Sequence, residues 1–168
     1  MKKFAVVLAL MVLSLALFIP FTVYIQSAQA QTGGYSIQTV THEVHILYSG
    51  QVIISDTIQV TGTMPSIIQV GLPFQYTQHV IEVEAYDSNN NKLTVTAGVS
   101  LQDRSGFYGT TIDLSDATSN TFTVIFVLSN DLLAPGSSIT RYNLNYPAYP
   151  SLTLPAATVN TTLVLPAG

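Results

Sequence analysis

From Gln31 onward the chain alternates apolar and polar residues with a period of two, and no helical period lasts longer than a turn. Thr, Val, Ile, Tyr and Phe dominate the alternating runs, the residue types that fit a pleated, half-buried surface. The expected strands are roughly Ser36 to Tyr48, Val52 to Val60, Ser66 to Gly71, Gln78 to Tyr86, Lys92 to Val99, Phe107 to Leu114, Thr121 to Leu128, Ile139 to Asn145 and Ala157 to Leu165. Turn residues punctuate them at Tyr48-Ser49-Gly50-Gln51, Asp87-Ser88-Asn89-Asn90-Asn91, Arg104-Ser105-Gly106 and Ala134-Pro135-Gly136. Short strands at such intervals, with no helices between them, require an all-β fold, an antiparallel β-sandwich rather than a barrel. Strand 79–86 sets Ile81, Val83 and Ala85 against Glu82, Glu84 and Tyr86, one face in and one out. Thr121 to Leu128 is apolar on both faces, as a central strand should be.

Ahead of this region lies an apolar run from Phe4 to Ile25 that follows Lys2 and Lys3 and precedes Ala28-Gln29-Ala30. The pattern reads as a secretory signal cleaved after Ala30. The same run, at about 1.5 Å per residue, reaches roughly 33 Å, long enough for an uncleaved anchor across a core of about 30 Å. Residues 1–30 are thus a signal peptide or a membrane anchor helix. Either role puts the rest of the chain outside the cytoplasm, secreted or held at the outer face of the membrane.

Only 8% of the residues are charged, against roughly 25% in an ordinary soluble domain. Beyond Lys3 the basic residues are Lys92, Arg104 and Arg141. They face nine acidic residues, a balance that disfavours a nucleic-acid partner because phosphate binding needs a basic stripe. With no cysteine there is no disulfide framework.

Thr41-His42-Glu43-Val44-His45 comes within one residue of the HExxH zinc motif. That motif works through histidines at i and i+4 on one helix face. Here the spacing is i, i+3 in a strand, which sends the two rings to opposite faces. No metal site is therefore assigned. If Ser49-Gly50-Gln51 is the hairpin loop, Val44 faces Asp56 and His42 faces Ile58, making His42 and Asp56 diagonal neighbours on an apolar face. A satisfied structural pair that fixes register is the reading preferred over a proton or metal site. A left-handed glycine is usually third in such a loop, whereas this register puts Gly50 at its centre.

Glu82 and Glu84 share a strand face at the spacing of a paired-carboxylate site, but a solvated polar face is the simpler reading. Asp103, Asp113 and Asp116 are scattered. The Asp87 to Asn91 stretch has the composition of a calcium loop without its glycine and terminal glutamate, and reads as a hairpin turn. No catalytic residue and no cofactor-binding residue is assigned, and the chain is expected not to be an enzyme. Tyr142, Tyr146 and Tyr149 form a candidate interaction patch amid prolines. Asn160, in Asn160-Thr161-Thr162, is a glycosylation sequon.

The segment Tyr146-Pro147-Ala148-Tyr149-Pro150, then Leu154-Pro155, reads as a stiff linker. The expected division is a sandwich over 31–146, and a Pro-rich linker with the start of a second β segment over 147–168.

At Ser105-Gly106-Phe107-Tyr108-Gly109, Leu133-Ala134-Pro135-Gly136-Ser137-Ser138-Ile139 and Tyr146-Pro147-Ala148-Tyr149-Pro150 the sequence resembles the lumenal domain of the ribophorin I family. Members of that family are non-catalytic oligosaccharyltransferase subunits built on two β-sandwiches. These sandwiches are similar to the leading β-domain of gluzincin aminopeptidases. The resemblance implies a non-enzymatic, exported or membrane-tethered accessory or scaffold sandwich. The other role open to such a chain is a structural subunit of a cell-surface layer or filament, in which the last strand, Ala157 to Leu165, or the N-terminal strand adds to a neighbour's edge by β-strand complementation. Its partners would be other proteins or copies of itself.

Overall fold

The computed structural model describes residues 34–102, 104–137 and 141–166, so the signal or anchor segment expected at 1–30 lies outside the described residues. The described residues form eleven strands: β1 (Tyr35–Ile46), β2 (Val52–Gly62), β3 (Ile67–Pro73), β4 (Val80–Asp87), β5 (Thr94–Leu101), β6 (Arg104–Asp113), β7 (Thr121–Leu128), β8 (Leu133–Pro135), β9 (Tyr142–Leu144), β10 (Ser151–Leu152) and β11 (Ala156–Val164). Two short 3-10 turns, Phe74–His79 and Asn130–Leu132, are the only helical pieces among the described residues.

The strands form a five-stranded sheet in the order β11-β1-β2-β7-β4, a four-stranded sheet in the order β10-β3-β6-β5, and a small β8–β9 ribbon. The two larger sheets pack face to face. Val40, Val44, Ile54, Ile58, Phe122, Val124 and Phe126 from the first meet Ile68, Val70, Leu72 and Ile112 from the second in one buried cluster. Each such side chain withdrawn from water contributes about 1.5–3 kcal/mol, so the period-two pattern fixes which face turns inward. β7 is an interior strand, with Phe122, Val124, Phe126 and Leu128 fully buried.

Four expectations are corrected. The β1–β2 loop is Tyr48-Ser49-Gly50, one residue earlier than expected. Leu47 N–H donates to the Gln51 carbonyl at 2.9 Å and Gly50 N–H to the Leu47 carbonyl at 2.9 Å. Gly50 is then third, at φ +83°, where an L side chain would be strained. The register moves with it: Ile46 faces Val52, Val44 faces Ile54 and His42 faces Asp56 directly.

Ile81 does not point inward. A register shift between Val80 and Glu82 turns it outward, and it is 57% exposed. The β5–β6 turn also comes earlier than Arg104-Ser105-Gly106, since Leu101 pairs with Arg104 and Gln102 takes a left-handed φ of +42°.

The boundary expected at residue 147 is not a boundary. β11 pairs with β1 in parallel, from Ile37 opposite Ala156 to His45 opposite Val164, as the outer strand of the first sheet. The 145–150 segment is a crossover that leads into β10 of the second sheet, from which residues 153–155 carry the chain back to β11. The second sheet has one strand fewer, and Pro147 and Pro150 are both buried, Pro147 with its carbonyl against His42 of β1. A parallel partner needs such a crossing, which a proline-stiffened segment supplies.

Candidate functional site

His42 and Asp56 lie side by side on the core faces of β1 and β2, both with no side-chain exposure. His42 Nδ1 is 2.5 Å from Asp56 Oδ1, and His42 Nε2 is 3.0 Å from the Pro147 carbonyl oxygen. A carbonyl can only accept, so Nε2 carries a proton. The remaining proton of the pair sits between Nδ1 and Oδ1, giving either imidazolium with carboxylate or neutral imidazole with carboxylic acid. Burial opposes charge on His42, but the hydrogen bond and charge of Asp56, helped by the Pro147 carbonyl, outweigh it and raise the histidine pKa from its ordinary value near 6.5. Burial raises the Asp56 pKa, and His42 offsets part of that rise. Asp56 Oδ2 is buried without a hydrogen-bond partner, so a full carboxylate charge there is incompletely compensated.

Chemically the pair is a pin. It is sealed from solvent, it fixes the β1–β2 register, and it holds the crossover by its backbone. Two more bonds fasten that crossover, Tyr76 Oη donating to Asn145 Oδ1 at 3.0 Å and Thr161 Oγ1 to the Ala148 carbonyl at 2.9 Å, and just beyond it Arg104 Nη1 donates to the Leu152 carbonyl of β10 at 2.6 Å.

The other singled-out residues separate. His45 is on the opposite face of β1 from His42, half exposed and 3.3 Å from Glu43. Among the described residues no three His, Cys, Asp or Glu side chains gather as a metal site would need. Glu84 accepts from Lys92 and Tyr86, which hold its pKa below the usual carboxylate value, the reverse of what a general acid requires.

Asp87 is a turn staple. Its Oδ1 accepts from the Asn89 and Asn91 backbone N–H groups at 2.9 Å each, and its Oδ2 from Asn91 Nδ2 and Thr118 Oγ1 at 2.8 and 2.6 Å. These donors, Thr118 and Asn91 foremost, hold its pKa well below the ordinary carboxylate range. Both of its oxygens are thereby engaged with protein donors.

The tyrosine patch divides as well. Tyr142 and Tyr149 are 65% and 68% exposed, whereas Tyr146 packs against the core. Tyr142 and Tyr146 line an open groove of about 770 Å³ with Leu47, Tyr48, Leu163 and Leu165, and Tyr149 lies outside it.

The last strand, which the sequence marks as able to add to a neighbour's edge, is β11, the outer strand of the five-stranded sheet, and among the described residues no strand pairs with its far edge. Its register places Val159 and Leu163 beside Val40 and Val44 on the core-facing side of the sheet, yet among the described residues they are left 42% and 41% exposed, at the outer end of a five-stranded sheet that packs on a four-stranded one. Asn160 faces the other way, beside Thr41, and is exposed. The signal available in the sequence was the run Ala156 to Val164, nine residues with neither charge nor proline. Among the described residues no helix is long and apolar enough to cross a membrane.

Neither a family model nor a curated protein sequence matches the chain. A solved structure described as "Biofilm associated protein - BSP domain" is similar over 66% of this chain at 14% identity, with a TM-score of 0.31. The chain spans 24% of that structure's length.

Proposed function

We propose that the chain is a non-enzymatic, exported β-sandwich module that binds or scaffolds protein by strand addition at the free edge of β11. The observation that carries this reading is the contrast between β11 and the other sheet ends. Strand edges are normally blunted by charge, bulges or shortness because a bare one recruits other chains. β4 is bulged and carries Glu82 and Glu84, β5 is broken by two register shifts, and β10 has two residues. β11 has none of these devices and adjoins an apolar groove. A partner strand laid along it would complete backbone hydrogen bonds and cover Val159 and Leu163.

Export is supported by the Lys2-Lys3, Phe4 to Ile25 and Ala28-Gln29-Ala30 pattern, with the segment either removed or kept as a tether. A subunit of a surface layer and a ribophorin-like scaffold of a membrane complex are both forms of this role. Site-specific photo-crosslinking on intact cells tests it. A benzophenone residue at Thr162 should yield protein adducts, and the same probe at Glu82 on β4 should not. Equal labelling at both edges, or none at Thr162, would contradict strand addition.

A further inference from the structure

Building on that reading of the edge, we infer that the partner of β11 is β11 of a second copy, paired antiparallel about a two-fold axis through Asn160. Charge decides against the alternatives within the molecule. Ala156 to Val164 carries no charge, so a copy of itself opposite brings no like charges together. Docking on the β4 edge of another copy would instead lay a neutral strand over Glu82 and Glu84 and strip water from their carboxylates. That head-to-tail contact would also grow into a ring or an open filament, whereas the two-fold contact closes as a dimer.

Parity fixes the register. Val159, Thr161 and Leu163 lie on the core-facing side with Val40, His42 and Val44, and Thr158, Asn160 and Thr162 lie on the outer side with Thr39, Thr41 and Glu43. Like faces meet only when the axis passes through a residue rather than between two. Through Asn160 the whole of Ala156–Val164 overlaps its copy. Thr158 then faces Thr162, Val159 faces Thr161, and Ala157 faces Leu163. Moving the axis to a neighbouring residue keeps the faces matched but leaves two residues of each strand unpaired. The two five-stranded sheets become one continuous sheet, with the apolar grooves flanking the seam.

The chain has no cysteine, so introduced thiols report on this register directly. On intact cells expressing the full chain under a mild oxidant, Asn160→Cys should give a disulfide-linked dimer by itself. Thr158→Cys alone should not, since its copy would lie about four residues away, roughly 13 Å, beyond the about 7 Å Cα separation a disulfide spans. Thr158→Cys mixed with Thr162→Cys should restore the link, and Ala157→Cys with Leu163→Cys is the second mixed pair.

Cross-linking of Thr158→Cys alone to the same extent as Asn160→Cys would overturn the register. An Asn160→Cys chain that reaches the surface folded yet stays unlinked would overturn the two-fold pairing. If the Thr162 photo-adduct is then a different protein, strand addition survives and self-pairing falls. If no adduct forms, both fall.

Discussion

His42 is where a single side chain ties three parts of the molecule together, because its two ring nitrogens hold Asp56 on β2 and the Pro147 carbonyl of the crossover. Removing one partner of a buried pair leaves the other uncompensated, at a cost of about 3–5 kcal/mol. His42→Ala should lose that much in chemical denaturation. Asp56→Asn should lose far less, since an amide N–H can donate to Nδ1 while Nε2–H keeps Pro147. The histidine pKa is raised on folding, so its contribution is complete below the unfolded value near 6.5 and fades as pH rises through the folded one. The unfolding midpoint of the wild type should therefore fall between pH 6.5 and alkaline pH, and the Asp56→Asn profile should be flatter there. Asp87 has the opposite sign. Its depressed pKa contributes stability above the unfolded value of about 3.9 that is lost as pH falls toward the folded one. Asp87→Ala should lower the neutral-pH midpoint and remove part of the acid-side decline.

At the level of strands and turns, Gly50 and the crossover decide what the sheet looks like. An alanine at Gly50 would sit at φ +83° with its Cβ 3.1 Å from Asn130 Cβ and 3.2 Å from Leu133 Cδ1. Gly50→Ala should cost about 1–2 kcal/mol, read as a drop in the denaturation midpoint. Tyr76→Phe, which removes the hydrogen bond to Asn145, should cost about 1 kcal/mol and raise amide exchange in 145–150 before it does so in β2 or β7. Strand identity was readable from alternation, and Thr121–Leu128 matches its expected span. The His42–Asp56 pairing was readable too, from two polar residues on otherwise apolar faces. The register was not, although the position of Gly50 held the clue: with it third in the loop, the two residues come directly opposite. Ile81 was misjudged because a bulge breaks parity without leaving a mark in composition. The parallel return of β11 was hidden because proline and tyrosine read as a linker equally well when exposed and when laid over a core. Whether 145–150 covers β1 depends on the width of the second sheet, a property of the assembled fold.

For the whole molecule, the first sheet is one strand wider than its partner, and the uncovered strip is apolar, uncharged and long enough to pair. A Leu163→Lys substitution puts a charge on the core-facing side of that strip, beside the groove, while β11 keeps its backbone bonds to β1. It should leave the circular dichroism unchanged and abolish association. Light scattering on the full chain in mild detergent, followed across a concentration series beside Leu163→Lys, addresses this most directly. The β11 edge predicts a wild-type mass that rises from one copy to two and stops there, with the variant remaining at one. A wild type that stays at one copy throughout, or one that grows past two into filaments, would contradict the closed two-fold seam.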